Sequence, residues 1–257
     1  QGNHAARAYQ ITIRGIDFEQ DTYYRGEIVD QIFGRVWKTR REDLINSLRA
    51  LMPDFDLSRE RFSLQDWVIP NPIQHYTYFL DRTVEGSLST IHGDLHLGNI
   101  VMASNQSSML IDFSHTREGH TLFDWANLEI SLMAEFIQPL LKNDWESIRN
   151  WALVLHGLIP QMPDMGETAT QAVQTIRAVR SVIGKLLARP DDWQEYELSL
   201  AFAALRAFTW ETLPVAMRRL CFYRAGLAML ALEQHQPGSS TASGTSIMNA
   251  TNFTDPS

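Results

Sequence analysis

Between residues 91 and 100 the chain reads Ile91-His92-Gly93-Asp94-Leu95-His96-Leu97-Gly98-Asn99-Ile100, and a second aspartate, Asp112, follows 18 residues after Asp94 in Ile111-Asp112-Phe113. Asp94 and Asn99 stand five apart on what reads as a loop between a helix and a strand, and Asp112 ends the paired strand. Three oxygen donors are thereby brought to one end of a hairpin. Carboxylate and amide oxygens suit a hard cation such as Mg2+, which keeps part of its water shell. With two of the groups on metal, the remaining carboxylate is free to accept a proton from a hydroxyl nucleophile, the arrangement that phosphoryl transfer requires.

The elements that must position these residues follow from apolar spacing. Asn99-Ile100-Val101-Met102 and Met109-Leu110-Ile111, joined by a polar stretch from Ala103 to Ser108, read as a β-hairpin. Downstream the pattern is helical near residues 121–138, 143–156, 168–188, 192–210 and 214–235, the last with Pro214 in its first turn. Upstream, a short strand over residues 8–13 ends at Arg14-Gly15. Helices follow over 21–37, with Tyr24, Ile28, Ile32 and Val36 on one face, and around Leu44, Leu48 and Leu51. Residues 53–72 read as irregular, with Pro70-Asn71-Pro72 as a rigid break, and Ile73 to Val84 as another helix. The predicted class is α+β, mostly α, with a Ser/Thr/Asn/Gly-rich disordered tail at 237–257.

Composition removes several functions. The 257 residues carry 22 Lys and Arg against 30 Asp and Glu, a net charge of −8 without a basic cluster, which argues against nucleic acid as partner. No apolar run reaches the length of a membrane span, and the start lacks a signal-peptide pattern, so the expected compartment is cytoplasmic. The single cysteine, Cys221, excludes an intramolecular disulfide framework and reads as a core residue. Only three lysines occur: Lys38, Lys142 and Lys185.

The segment His92, Asp94, Asn99 and Asp112 resembles the catalytic motifs of the protein-kinase-like superfamily, in its branch of aminoglycoside phosphotransferases and choline kinases. The resemblance implies Asp94 as catalytic base, Asn99 and Asp112 as Mg2+ ligands, and His92 as a brace of the loop, with ATP or GTP as phosphate donor and a hydroxyl of a small molecule as acceptor. Asp124, in Phe123-Asp124-Trp125-Ala126, is similar to the aspartate that in this superfamily holds the catalytic loop from behind through backbone N–H groups. His96 stands where protein kinases carry a lysine for the γ-phosphate, and either touches phosphate or caps the loop. Ser114 replaces the glycine of the second motif. Only 11 residues separate Asp112 from Asp124, too few for a phosphorylatable activation loop. The phrase from Asp124 to Glu129 also resembles the ternary complex associated kinase-like domains of bacterial conflict and signalling proteins. That likeness implies an interaction module or pseudokinase, with a protein partner, as the alternative role.

A kinase-like reading implies a partial site. No GxGxxG occurs, and none of the lysines falls where a phosphate-gripping strand lysine belongs. The expectation is therefore a C-terminal lobe over residues 16–236 preceded by a remnant strand and hinge at 1–15, with the N-terminal lobe largely missing and turnover by this chain weak. The start at Gln1 reads as a fragment boundary or processing site. Beyond the motif, His115, His120 and Arg117 read as exposed loop residues, Glu195, Glu197 and Glu211 as a solvated face, and Trp145, Trp151, Trp193 and Trp210 as packing residues.

Overall fold

The helical spacings become buried stripes in the computed structural model, which describes residues 7–12, 37–80, 82–105, 107–160 and 166–234. Helix α1 (Trp37–Leu51) buries Leu44, Leu48 and Leu51, one side of the cylinder. After a short α2 (Tyr76–Leu80), the helices α3 (Thr121–Leu132), α4 (Trp145–His156), α5 (Glu167–Ile183), α6 (Gln194–Phe208) and α7 (Val215–Gln234) form the main body. α7 is buried from Ala216 through Met217 and from Leu220 through Leu232 because α4, α6 and a β-hairpin cover it on different sides, and Cys221 lies among its buried residues. Asp144 caps α4 by accepting a hydrogen bond from the Ser147 N–H at 2.7 Å. Among the described residues no helix is long and apolar enough to cross a membrane.

Among the described residues three small antiparallel sheets accompany the helices, so the class is α+β and mostly helical. One has the order β1 (Arg7–Thr12), β4 (Thr83–Ile91), β7 (Arg117–His120), with Tyr9 opposite Gly86, Leu88 opposite His120 and Ile91 opposite Arg117. The second pairs β2 (Arg61–Leu64) with β3 (Trp67–Pro70), and the third is the expected hairpin of β5 (Ile100–Met102) and β6 (Ser108–Leu110).

The strand expected at 8–13 is β1 as far as Thr12, and Ile13 lies outside the described residues. The helix expected over 21–37 up to Val36 and the tail at 237–257 lie outside the described residues. Two expectations are corrected. The helix assigned to Ile73–Val84 covers only Tyr76–Leu80, and the chain then enters the nine-residue strand β4. β4 pairs on both edges, with β1 and β7, partners distant in sequence that a local window cannot weigh against helical spacing. Residues 53–72 are likewise not irregular throughout. They hold the β2–β3 hairpin, whose turn starts at Gln65 with φ +52°. Asn71 organises the break after it, donating from Nδ2 to Arg59 O at 2.9 Å and accepting the Ile73 N–H at 3.1 Å. The hairpin lies so close to α7 that a Cβ on Gly226 would stand 3.0 Å from Ile69 Cδ1 and 3.1 Å from the Pro70 carbonyl.

A buried ionic cluster ties the helices together. Glu129 of α3, with no exposed surface, accepts from Arg180 of α5 (Nε at 2.7 Å, Nη2 at 2.5 Å), from Arg224 of α7 at 3.0 Å and from the Tyr196 hydroxyl of α6. Burial alone would push its carboxyl up, but the charge and hydrogen bonds of Arg180, then Arg224 and Tyr196, bring its pKa down to about 2. Arg224 also donates from Nη1 to His156 Nδ1 of α4 at 3.0 Å. A guanidinium only donates, so His156 must offer a lone pair there and carry its proton on Nε2. Burial, followed by the charges of Arg224 and Arg180, holds the His156 pKa well below the usual histidine value.

This arrangement fixes the sign of a pH effect. Below about pH 6.5 the unfolded chain protonates His156 and the folded one does not, so stability falls with pH at up to about 1.4 kcal/mol per unit. Glu129 works in the same direction, but its contribution is lost between about pH 4.5, where the unfolded carboxyl protonates, and about pH 2, mostly below that window. Urea unfolding of the wild-type chain and His156→Asn, whose amide oxygen can replace the Nδ1 acceptor, measured between pH 7 and 5, is expected to show the steeper loss in the wild type. Equal slopes would contradict a neutral buried imidazole.

Candidate functional site

The sequence His92 to Asn99 folds as a loop between β4 and β5, not between a helix and a strand, and α3 supports it from behind. Asp124, in the first turn of α3, accepts the His92 N–H at 2.6 Å on Oδ2 and the Gly93 N–H at 2.9 Å on Oδ1. Two successive donors on one carboxylate define the direction in which the chain leaves β4. Gly93 is required at this turn. Its φ is +84°, and a Cβ would stand 2.2 Å from the His115 carbonyl oxygen and 2.3 Å from Arg117 Nη1. Farther along, the Leu97 N–H donates to Ser131 Oγ of the same helix at 3.0 Å, and the Asn99 N–H donates to His96 O at 2.9 Å.

Burial raises the Asp124 pKa, against the lowering effect of the hydrogen bonds from His92 and Gly93 and of the charges of His92 and Arg117. Held this way, the loop presents Asp94 and His96 outward, with His96 Nε2 at 3.8 Å from Asp94 Oδ2 and both side chains about two-fifths exposed. Asn99 is buried at 6% exposure and donates from Nδ2 to the Asp94 carbonyl at 2.9 Å. That bond orients the amide, and its Oδ1 accepts no hydrogen bond among the described residues.

The loop is also tied to the segment carrying Asp112. The buried His92 ring makes a 2.8 Å hydrogen bond from Nε2 to the Ile111 carbonyl, and the Ile111 N–H donates to Asn99 O at 3.0 Å. Both bonds end on the residue before Asp112, so the second motif takes its place from the first. Asp112 itself is exposed and has φ +60°, a left-handed conformation that Asp tolerates better than most residues. Strain of this kind persists where surroundings impose it. Ser114 Oγ donates to Asp112 Oδ1 at 2.7 Å, and this bond, with that of the Ser114 N–H, lowers the Asp112 pKa. The serine that departs from the glycine of kinase sequences is therefore a partner of the carboxylate beside it.

Other candidates fall elsewhere. His115 is exposed as expected, but His120 is half-buried, at 2.9 Å from Glu195 Oε2 and 3.0 Å from Ser199 Oγ. Glu195 and Glu197 are buried at 1% and 4% exposure and are no solvated face; Glu211 is exposed. Their spacing on α6 resembles that of surface carboxylates; Glu195 is buried with His120 and the Ala188 N–H as partners, and Glu197 lies within electrostatic reach of Arg180 and Arg224. Among the described residues no group of three or more His, Cys, Asp or Glu side chains could by itself hold a metal ion. Trp151 is a core residue, whereas Trp145 and Trp210 remain 37% exposed.

One residue went unnoticed in the sequence. Arg206, near the end of α6, stacks over the Trp210 ring at 5.5 Å and lies within electrostatic reach of both Asp94 and Arg117. An arginine four residues before a tryptophan on a helix is a weak signal, and its nearness to Asp94 depends on tertiary packing.

With this geometry in place, comparison with known families is informative. The model of a family described as ternary complex associated domain 9 matches residues 6–209, most of the chain. The chain belongs to the ternary complex associated domain 9 family. No curated protein and no solved structure matches it. The matched span of this domain takes in β1, the whole loop, Asp112, α3 and Arg206, and ends within the connection before α7.

Replacing Asp124 with Asn keeps the shape but leaves one acceptor oxygen for two buried donors, which costs about 1–3 kcal/mol. Amide hydrogen exchange at His92 and Gly93 is expected to accelerate about tenfold or more in Asp124→Asn, with exchange in α7 little changed. Unchanged protection at these two amides would show that Asp124 does not hold the loop.

Proposed function

We propose that this ternary complex associated domain acts as the catalytic-loop lobe of a kinase-like phosphotransferase, moving the γ-phosphate of ATP or GTP to a hydroxyl of a small molecule. The observation that carries the reading is the bonded set of Asp124 on His92 and Gly93, His92 on Ile111, and Asn99 on the Asp94 carbonyl, which gathers the motif residues of both segments. In this reading Asp94 accepts the proton of the acceptor hydroxyl as the phosphoryl group leaves the nucleotide, and His96, 3.8 Å away, faces the same opening. His92 and Asp124 are positioning residues, since they touch only the loop.

The donor set fits Mg2+. Asn99 has its Nδ2 engaged by Asp94 and an amide oxygen to offer, and Asp112 is an exposed carboxylate whose pKa the Ser114 hydrogen bonds lower, so it is ionised at neutral pH. Asn99 and Asp112 would hold the ion, with water completing its shell. When bound, Mg2+ would neutralise charge on the nucleotide phosphates. Lys142 and Lys185 follow the motif in the connections after α3 and α5, and Lys38 lies in α1, so the reading assigns no lysine to the phosphates.

A second reading, an interaction module with the loop kept for binding or stability, is favoured by the β5–β6 hairpin. Val101, Met102, Met109, Leu110, Ile111 and Phe113 are all exposed there, Met102 at 64%. Clustered apolar exposure marks interaction surfaces.

Thermal unfolding with and without Mg2+ and ATP separates the two. An upward shift in the wild-type chain that Asp112→Asn largely loses is the expected result, following the mass-action stabilisation of a bound state. No shift in either protein overturns the phosphotransferase reading and leaves the interaction module.

A further inference from the structure

His96 is exposed beside Asp94, and its ring has a seat of its own in the turn. The backbone is fixed on either side of it: the Leu97 N–H donates to Ser131 Oγ at 3.0 Å, and His96 O accepts the Asn99 N–H at 2.9 Å. From there the ring lies back over Gly98. A Cβ on Gly98 would stand 2.9 Å from His96 Cε1 and 3.0 Å from His96 Nδ1, and among the described residues it would meet nothing else within 4 Å. Unlike Gly93, Gly98 has no left-handed φ, so its missing side chain serves the ring and not the backbone.

The ring does not cap the loop. His96 heads the short turn Leu97–Asn99, and its side chain bonds no N–H of that turn. Among the described residues it makes no other hydrogen bond; Nε2 stands 3.8 Å from Asp94 Oδ2, and the side chain is 45% exposed. From this placement we propose that Gly98 is a positioning residue for His96, holding the imidazole with Nε2 beside Asp94, where its N–H donates to an oxygen of the phosphoryl group being transferred. The inference rests on the phosphotransferase reading for the phosphate and extends it to the side chain that meets that phosphate. The seating of the ring stands on geometry alone.

An imidazole needs such a seat where a lysine would not. A lysine carries its charge on a flexible four-carbon stem and finds a phosphate by flexing, whereas an imidazole is short and presents each nitrogen in one direction. Contact with Gly98 and the fixed backbone of Leu97 and Asn99 place the donor before phosphate arrives, which lowers the ordering cost of binding. The rest of the loop offers no substitute. Residues 92–99 include no lysine or arginine, His92 Nε2 is bonded to Ile111 O, and Asn99 Nδ2 donates to Asp94 O. Within the loop His96 is therefore the side chain left to donate to a phosphate next to the base.

The test uses the full chain in two measurements. The first needs no ligand: the wild-type NMR spectrum should show a nuclear Overhauser peak between His96 Hε1 and Gly98 Hα, and its absence would overturn the seating. In the second, binding of Mg2+ with tripolyphosphate, which presents the phosphates without a nucleoside, is followed by isothermal titration. His96→Ala and Gly98→Ala should each weaken it about three- to tenfold, the loss of one hydrogen bond. In Gly98→Ala the ring turns away while the backbone stays, because the added methyl meets only the end of a rotatable side chain. The double variant should therefore bind no more weakly than either single one. His96→Lys should recover affinity, and adding Gly98→Ala to it should then cost nothing, a result that a folding defect at Gly98 could not give. Additive losses, or a Gly98→Ala defect that persists beside the lysine, would overturn the role of Gly98. Unchanged binding in His96→Ala would sink the phosphate contact alone and leave the phosphotransferase reading in place. No binding by any of the proteins would sink that reading together with the contact, and the Overhauser peak would still decide the seating.

Discussion

The carboxylate of Asp124 is the point on which the site depends. Backbone N–H groups at the end of a strand would ordinarily go to water or to another strand, and here two consecutive ones end on a single buried side chain. Because that side chain belongs to the first turn of α3, the turn after β4 is referenced to a helix and not to the loop's own flexible contacts. Ser131, later on the same helix, takes the Leu97 N–H, so the loop is supported at both ends from one rigid element. Everything else at the site follows in sequence: His92 reaches Ile111, Asn99 reaches the Asp94 carbonyl, and Asp112 is set beyond Ile111.

α3 can serve as that reference because a second buried carboxylate on it is fixed as well. Glu129, five residues after Asp124, binds Arg180, Arg224 and Tyr196 from three other helices. A buried ion cluster of this kind adds little net stability compared with apolar packing, since desolvation offsets much of the attraction. Its effect is geometric, because the partners fit one arrangement of α3, α5, α6 and α7 and leave charges unpaired in any other. The same α6 that carries Tyr196 carries Arg206, whose guanidinium stacks over Trp210.

Legibility of the sequence followed the range of the interactions. The loop, the β5–β6 hairpin and the long helices were readable because spacing within a few residues determines them, and Asp124 was readable because it stands at a motif distance from Asp112. β4 and β7 were not, because their pairing is with strands remote in sequence, and β4 carries helix-compatible residues where it leaves α2. His120 and Glu195 each look like a surface residue alone and meet each other only in the folded chain. The family assignment reflects the same division, since its match spans the loop and its supports without naming a chemistry.

The central claim is that the loop brings Asn99 and Asp112 together as a divalent-cation site next to Asp94. Mn2+, a paramagnetic stand-in for Mg2+, tests it most directly when titrated substoichiometrically into the 15N-labelled chain. The account predicts selective broadening of the amides of Asn99, Ile100 and Ile111 to Ser114, lost in Asp112→Asn. Broadening spread over the acidic surface, or centred away from these residues, would contradict it.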